Sequence, residues 1–211
     1  MSAIRLALLM AVLAAMTSAS ACSGSAERPG GSALRGITTS DTLPVDRSTD
    51  DISIFELDLE LIDQQGHRTS LADLGGKVML AAMVYTSCTS VCPRVTEEMR
   101  AIEQQLSRTD GDLRFVLFSL DPGRDTPAAM RQFAAVHGLD TSRWRLLATS
   151  EDGVRNLAAV LGVRYRQEDD REIAHSAAMF LIDRHGVVRH RQIGTGQDSR
   201  DLVAAVRRVR G

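Results

Sequence analysis

Two cysteines, Cys88 and Cys92, are the residues of this 211-residue chain whose type and spacing most directly allow chemistry. They follow an apolar run over residues 78–85, are separated by three residues, and are followed by Pro93. Because proline is favoured at the first position of a helix, Cys92 is expected at or just before a helix N-terminus. On a first helical turn the two sulfurs can face the same way, within reach of a disulfide or of one shared metal ion.

The expected position of the pair also predicts its acidity. Unpaired backbone N–H groups and the helix dipole stabilise a thiolate at a helix N-terminus. We therefore expect the pKa of Cys92, and by the same argument that of Cys88, to lie below the pKa of a free cysteine. A thiolate of low pKa serves as a metal ligand and as a disulfide exchanger, so the pair alone leaves both functions open.

A third donor is provided by His175, which directly precedes an apolar run over residues 177–183. That run is predicted to pair beside the cysteine strand, which would bring His175 to the loop that holds the cysteines. Two thiolates and one imidazole favour Cu(I) and can also hold Cu(II), whereas zinc usually takes a fourth ligand. Most histidines before strands are surface or hydrogen-bonding residues, and that interpretation is kept for the other four, His67, His137, His185 and His190.

The elements that must position these residues are predicted from apolar periodicity and from capping residues. The predicted elements are strands 54–61 and 67–70, a helical turn 70–76, strand 77–85, helix 93–106, strand 114–120, helix 126–137, strand 145–148, helix 150–161, an extended piece 163–166, strands 177–183 and 187–193, and helix 199–209. Asp125-Thr126-Pro127 is assigned to capping the second long helix.

This order predicts a mixed sheet with helices on both faces, because strand–helix alternation is followed by an antiparallel pair. A cysteine pair at the first strand-to-helix junction of such a unit is similar to the thioredoxin arrangement. It also lies at the C-terminal end of a strand, where open α/β sheets place their sites. The predicted fold class is therefore α/β, thioredoxin-like and peroxiredoxin-related, with an N-terminal β-hairpin.

Composition excludes several classes of function. The formal net charge of −2 argues against a nucleic-acid partner, which would require a basic face. Aromatic residues make up 4% of the chain, too few for a base- or sugar-stacking platform. Lys77 is the only lysine and stands at a predicted strand start, which disfavours Schiff-base chemistry.

The first 50 residues are predicted to be a targeting region. Residues 1–21 have a positive charge, an apolar stretch too short to span a bilayer, and small residues before Cys22, as in a secretory signal. Ala19-Ser20-Ala21-Cys22 is similar to a bacterial lipoprotein processing box, which predicts lipidation of Cys22 and stable membrane anchoring. Ordinary cleavage after Ala21 and an uncleaved N-terminal anchor are the alternatives.

The remaining chain divides into a tether and a domain. Residues 22–50 are rich in Ser, Gly, Thr, Asp and Pro and have no apolar period, which predicts a flexible tether. Residues 51–211 are predicted to form one exported domain. Since an exported domain meets an oxidising environment, Cys88 and Cys92 could also be a plain structural disulfide.

Three segments in this order resemble the SCO/SenC family of copper proteins. Residues 85–93 resemble its Tyr-Thr-x-Cys-x-x-x-Cys-Pro signature, residues 119–127 its Ser-x-Asp-Pro-x-x-Asp-Thr-Pro segment, and residues 175–186 its metal-histidine segment. The chain departs from the family at Met83-Val84, where Phe-Gly is frequent, and at Thr89, where proline is common. These departures affect a partner surface rather than a ligand.

The resemblance implies a thioredoxin-like domain that is tethered to the membrane of a bacterial cell envelope and faces the periplasm or the exterior. It implies copper bound by Cys88, Cys92 and His175, a redox-active cysteine pair, and copper delivery to the binuclear site of cytochrome c oxidase. The partner would be the copper-site subunit of that oxidase or another periplasmic copper protein, and the chain would act as a monomer. Asp121 would support the site or dock the partner, unless it has only a turn or capping role.

Three other functions remain as alternatives. A thiol–disulfide oxidoreductase without a metal role would need Cys88 and Cys92 but not His175. A peroxiredoxin-like peroxidase would need a Pro-x-x-x-Thr-x-x-Cys loop, which is absent because Tyr85 stands three residues before Cys88. A structural disulfide in a binding domain would offer no reason for a Cys-Pro helix start facing His175.

Overall fold

The computed structural model describes residues 52–106, 112–168 and 172–210. The predicted signal peptide over residues 1–21, the predicted tether over residues 22–50 and Cys22, the predicted lipidation site, lie outside the described residues. Within the described ranges, no helix combines the length and the apolar character that crossing a bilayer requires.

The described chain contains nine strands and four α-helices. In chain order they are β1 (Glu60–Asp63), β2 (Arg68–Ser70), β3 (Val78–Val84), α1 (Val91–Gln105), β4 (Leu113–Ser119), α2 (Pro127–Val136), β5 (Trp144–Ala148), α3 (Glu151–Leu161), β6 (Tyr165–Gln167), β7 (Ile173–His175), β8 (Ala178–Ile182), β9 (Val188–Ile193) and α4 (Arg200–Arg210). Two short 3-10 helices, Ile54–Glu56 and Ala72–Leu74, flank the first two strands.

Seven of these strands form one mixed sheet in the order β2-β1-β5-β4-β3-β8-β9. β3, β4 and β5 run parallel, whereas β8 is antiparallel to β3 and to β9. β1 and β2 form the predicted N-terminal hairpin, which joins the sheet through β5. The predicted mixed α/β fold is confirmed, including the pairing of the strand after His175 with the cysteine strand.

The core lies around the central strands. Every residue of β3 is buried, as expected for a strand covered on both faces by other elements. On the neighbouring strands the rings of Phe115 and Trp144 are stacked with centroids 4.7 Å apart. β3 ends at Val84, so the loop that follows it projects from a fully buried strand of the sheet.

The predicted N-caps of α2 and α3 are confirmed by side-chain hydrogen bonds. The Thr126 hydroxyl accepts a hydrogen bond from the Ala129 N–H at 3.2 Å, and Ser150 caps α3 in the same way. Gly162 ends α3 in the left-handed conformation, with φ of 71°. Because β3, β4 and β5 run parallel, α2 and α3 begin at the same end of the sheet as the cysteine loop.

Two predicted boundaries are wrong, and one short strand was not predicted. Residues 54–56 form a 3-10 helix instead of a strand, because Ser53 caps the turn and the Ile54 N–H donates to the carbonyl of Gly186. Helix α1 begins at Val91, two residues before Pro93, so Cys92 is inside its first turn. The segment before β8 is a short strand, β7, which pairs with β6 in a separate two-stranded sheet and places His175 opposite Tyr165.

Candidate metal centre

The structure brings the three predicted donors together at the C-terminal end of β3. One ligand atom each of Cys88, Cys92 and His175 lies within 4.8 Å of the other two. The Cys92 sulfur is 3.3 Å from Nε2 of His175. Both cysteines are buried and His175 is half-buried, so the cluster is closed on the core side and open at the imidazole.

Local backbone hydrogen bonds shape the cysteine loop. The Cys88 N–H donates to the carbonyl of Tyr85 at 3.2 Å, which closes a tight turn directly after β3. The Cys92 N–H, in the first turn of α1, donates to the sulfur of Cys88 at 3.4 Å. The helix N-terminus therefore directs a backbone donor at Cys88 rather than at Cys92.

The two thiols differ in acidity, and the prediction for Cys92 is wrong. The pKa of Cys88 is lowered, because the Cys92 thiol, the nearby His175 and the Cys92 backbone N–H stabilise its thiolate. The pKa of Cys92 is raised, because the Cys88 thiolate holds its proton and because burial disfavours a second charge. The reason is geometric: the helix donor points at Cys88, while Cys92 is fully buried beside a thiolate.

His175 presents one defined nitrogen to the sulfurs. Its Nδ1 atom lies 3.3 Å from the carbonyl oxygen of Ser176. Since a carbonyl can only accept, Nδ1 is the donor in this contact, and Nε2 is the ring nitrogen that faces the sulfurs. Metal-bound histidines are commonly held in this way by a hydrogen bond from the other ring nitrogen.

A buried carboxylate, Asp125, anchors the cysteine loop. One of its oxygens accepts from the N–H of Thr86 at 3.0 Å and from the Thr86 hydroxyl at 2.6 Å, and the other accepts from the Ser119 hydroxyl at 2.6 Å. Burial raises the pKa of Asp125, and these hydrogen bonds partly offset the effect. Sequence reasoning assigned Asp125 to helix capping, whereas its carboxylate ties β4 to a residue two positions before Cys88.

Replacing Asp125 with alanine is expected to lower the free energy of unfolding by about 2–4 kcal/mol, since it leaves the donors of half-buried Thr86 and buried Ser119 unpaired. Asp125→Asn keeps one acceptor oxygen and should cost less than half as much. Urea unfolding of the two variants measures the difference. The exposed Asp152 gives the control, because Asp152→Ala should cost less than about 1 kcal/mol. Equal losses for Asp125→Ala and Asp152→Ala would exclude the anchoring role.

Asp121 does not join the cluster of donors. Its carboxylate pairs with the Arg124 guanidinium at 2.5 Å, and its carbonyl accepts from the N–H groups of Arg124 and Asp125. These contacts are those of a turn residue. A partner-docking role for Asp121 stays a prediction.

The donor set itself fits a soft metal ion. Two sulfurs and an imidazole nitrogen suit copper in either valence, and zinc would be expected to recruit a fourth protein ligand. Among the described residues, Cys88, Cys92 and His175 form the one group of three or more Cys, His, Asp or Glu side chains with metal-site spacing. None of the other four histidines belongs to it, as the sequence predicted.

Comparisons with known proteins agree on one family. A family model described as SCO1/SenC matches residues 48–210. The chain is similar to the SCO1 protein homolog of Bacillus subtilis strain 168, with 30% identity over 129 residues that cover 60% of this chain and 67% of the relative. The match thus spans about two thirds of that relative's length.

Solved structures show the same fold. The chain is similar to a SCO1/SenC family lipoprotein from Bacillus anthracis strain Ames, with 26% identity and a TM-score of 0.67 over 74% of this chain and 95% of that one. It is also similar to BsSco, described as a member of the Sco family of cytochrome c oxidase assembly proteins, with 26% identity and a TM-score of 0.63 over 72% and 90% of the two chains. Arabidopsis thaliana ScoI, solved with copper bound, shares the fold at 23% identity and a TM-score of 0.62, over 71% of this chain and 96% of that one.

Proposed function

The chain belongs to the SCO1/SenC family, and we propose that it is a copper chaperone of the bacterial cell envelope. In this proposal Cys88, Cys92 and His175 bind copper, and the protein supports assembly of the binuclear copper site of cytochrome c oxidase. The observation that carries the proposal is the cluster of two sulfurs and one imidazole nitrogen within 4.8 Å of one another. Cys92 in α1 and His175 in β7, which lie 83 positions apart in the chain, meet there.

The chemistry of the three donors supports copper as the cargo. Thiolate ligands select Cu(I), and an added imidazole lets the same site hold Cu(II). The ionised Cys88 can bind a cation directly, whereas the thiol proton of Cys92 must leave when the second sulfur becomes a ligand. Copper binding should therefore release a proton and strengthen as the pH rises.

Access to the site supports transfer to a partner. His175 borders an open surface depression of about 400 Å³, which is also lined by Arg164, Tyr165, Arg166 and Ala174. A recipient protein could reach the ligand set from this side without unfolding the buried cysteine loop. The copper-site subunit of cytochrome c oxidase is the proposed recipient, in agreement with the description of the similar protein BsSco.

The proposal includes a membrane anchor. A signal peptide over residues 1–21, a lipid on Cys22 and a tether over residues 22–50 would hold the domain, residues 51–211, at the outer face of a membrane. The similar Bacillus anthracis protein is described as a lipoprotein, which supports this arrangement. A lipid anchor on Cys22 would keep the copper site close to a membrane-bound oxidase.

A second candidate function is thiol–disulfide exchange, favoured by the unequal acidity of the two cysteines. The Cys88 thiolate would attack a target disulfide, forming a mixed disulfide and releasing one target thiolate. The Cys92 thiol would give up its proton and attack Cys88, releasing the second target thiolate. The target disulfide is reduced by two electrons, and this pair is oxidised to a disulfide.

Copper titration of the fully reduced protein tests the first function. We expect one copper ion per chain and, with Cu(II), an absorption band from thiolate-to-copper charge transfer. Mixing the loaded protein with a soluble, copper-free domain of the oxidase subunit should then move copper to that domain. Absence of copper binding, together with rapid reduction of the disulfide form of that domain, would favour the second function.

A further inference from the structure

Tyr85 is a buried residue between the two halves of the metal centre, and the proposed copper chemistry assigns it no role. It directly follows β3, and its carbonyl holds the N–H of Cys88. Its ring meets the ring of His175 edge-on, with centroids 5.9 Å apart and planes at 73°. The backbone of Tyr85 is therefore part of the loop that carries the cysteines, while its side chain contacts His175.

The Tyr85 hydroxyl makes a specific contact with the histidine strand. It accepts a hydrogen bond from the backbone N–H of Ile173 at 3.3 Å, two residues before His175. Both residues are buried, with Tyr85 3% and Ile173 4% exposed, so water cannot readily replace the bond. Since β7 pairs with β6 in a separate small sheet, this bond links the histidine strand to the end of the main sheet.

The Tyr85 hydroxyl makes this bond in its neutral form. A phenol has one donor hydrogen and acceptor lone pairs, and the Ile173 N–H uses only a lone pair. Because a phenol is protonated at neutral pH, the bond does not require ionisation of the hydroxyl.

We propose that Tyr85 positions the two halves of the metal centre: its hydroxyl accepts from the Ile173 N–H and its ring packs edge-on against His175. The inference deepens the proposed function and rests on it for the copper readout. Tyr85 is a positioning residue and not a ligand. By holding Ile173, Tyr85 sets where β7 places His175 relative to the cysteine loop.

The test compares Tyr85→Phe with Tyr165→Phe, which alters the only other tyrosine of the chain. Tyr165 is the matched control, because it stands opposite His175 on β6. The metal-free readout is hydrogen exchange at the Ile173 amide, measured by NMR. Loss of one hydrogen bond should speed this exchange about threefold to tenfold in Tyr85→Phe. Tyr165→Phe should leave it unchanged.

The metal readout uses copper alone. Tyr85→Phe should weaken copper affinity about tenfold, as loss of a contact that orients a metal ligand commonly does, and should shift the thiolate-to-Cu(II) band. A role confined to packing would change neither the band position nor the Ile173 exchange, because the ring remains. Unchanged exchange overturns the proposal even if the wild type binds no copper. Faster exchange with unchanged affinity and band would overturn the positioning role at the metal site.

Discussion

Replacing His175 with alanine is expected to weaken copper binding by the reduced protein about a hundredfold or more. Loss of an outer-shell partner commonly costs tenfold to a hundredfold in affinity, and loss of a ligand should cost at least as much. The Nε2 atom of His175 lies 3.3 Å from the Cys92 sulfur, and no other histidine belongs to the donor group within the described residues. The remaining two sulfurs would have to recruit water or an external ligand.

His185→Ala is the matched control for this prediction. His185 is an exposed histidine in the turn between β8 and β9, and its carbonyl, which the substitution retains, holds the hydroxyl of Ser53. Competition against a copper chelator, measured on both variants in the reduced state, gives the two affinities. Equal losses in the two variants would remove His175 from the ligand set. The Cu(II) band should also move in His175→Ala and stay in place in His185→Ala.

Oxidation of Cys88 and Cys92 to a disulfide is expected to abolish copper binding. The bond consumes both thiolates, which are the main attraction for a soft cation, and leaves His175 alone. The sulfurs already lie within 4.8 Å, so the bond needs only a small approach of the two side chains. We therefore expect affinity for copper to fall at least a hundredfold on oxidation.

The measurement is a copper titration of the oxidised protein, followed by the same titration after reduction. Full recovery of copper affinity on reduction serves as the control. It shows that the oxidant has neither unfolded the domain irreversibly nor oxidised the methionines. Undiminished copper affinity in the disulfide form would contradict the assignment of the two sulfurs as ligands. The redox state of the pair would then be separate from metal binding.

Together the two experiments separate the candidate functions. A copper chaperone should lose binding on oxidation and on loss of His175. A thiol–disulfide oxidoreductase should respond to loss of either cysteine but tolerate His175→Ala to a much greater extent. Because His175 lies close to both sulfurs, His175→Ala could slow thiol–disulfide exchange slightly even if exchange is the function. The deciding quantity is therefore the loss of copper affinity in His175→Ala compared with the loss of exchange rate in the same variant.

Much of the fold could be predicted because its signals are local. The continuous apolar run of β3, the periodicity of α1 and the caps Thr126 and Ser150 act within one element, where periods of 2.0 and 3.6 residues are visible in the residues themselves. The errors fall where local signals are weak. The segment 54–56 reads as extended but is held as a 3-10 helix by Gly186, more than 100 residues away.

The three donors could be found from residue type, spacing and family resemblance alone. Cys88 and Cys92 stand at a strand-to-helix junction, and His175 precedes the strand that pairs with β3, so the order of strands brings them to one edge. Asp125 and Tyr85 could not be recognised in the same way. Asp125 stands in a capping motif and Tyr85 in an apolar run, and nothing near them in the sequence reveals their distant partners.

The sequence by itself therefore determined that Cys88, Cys92 and His175 could bind one metal ion, and that the fold carrying them is a mixed α/β sheet. Tertiary structure decided that the two thiols differ in acidity: a backbone N–H of α1 points at Cys88 and its pKa is lowered, while Cys92 is buried beside it and its pKa is raised, although position along the chain predicted a lowered pKa for both. It also decided that Asp125 holds the cysteine loop and that Tyr85 joins that loop to β7. Hydrogen bonds and desolvation depend on what lies a few ångströms away, and those neighbours are 39 and 88 residues distant in the chain.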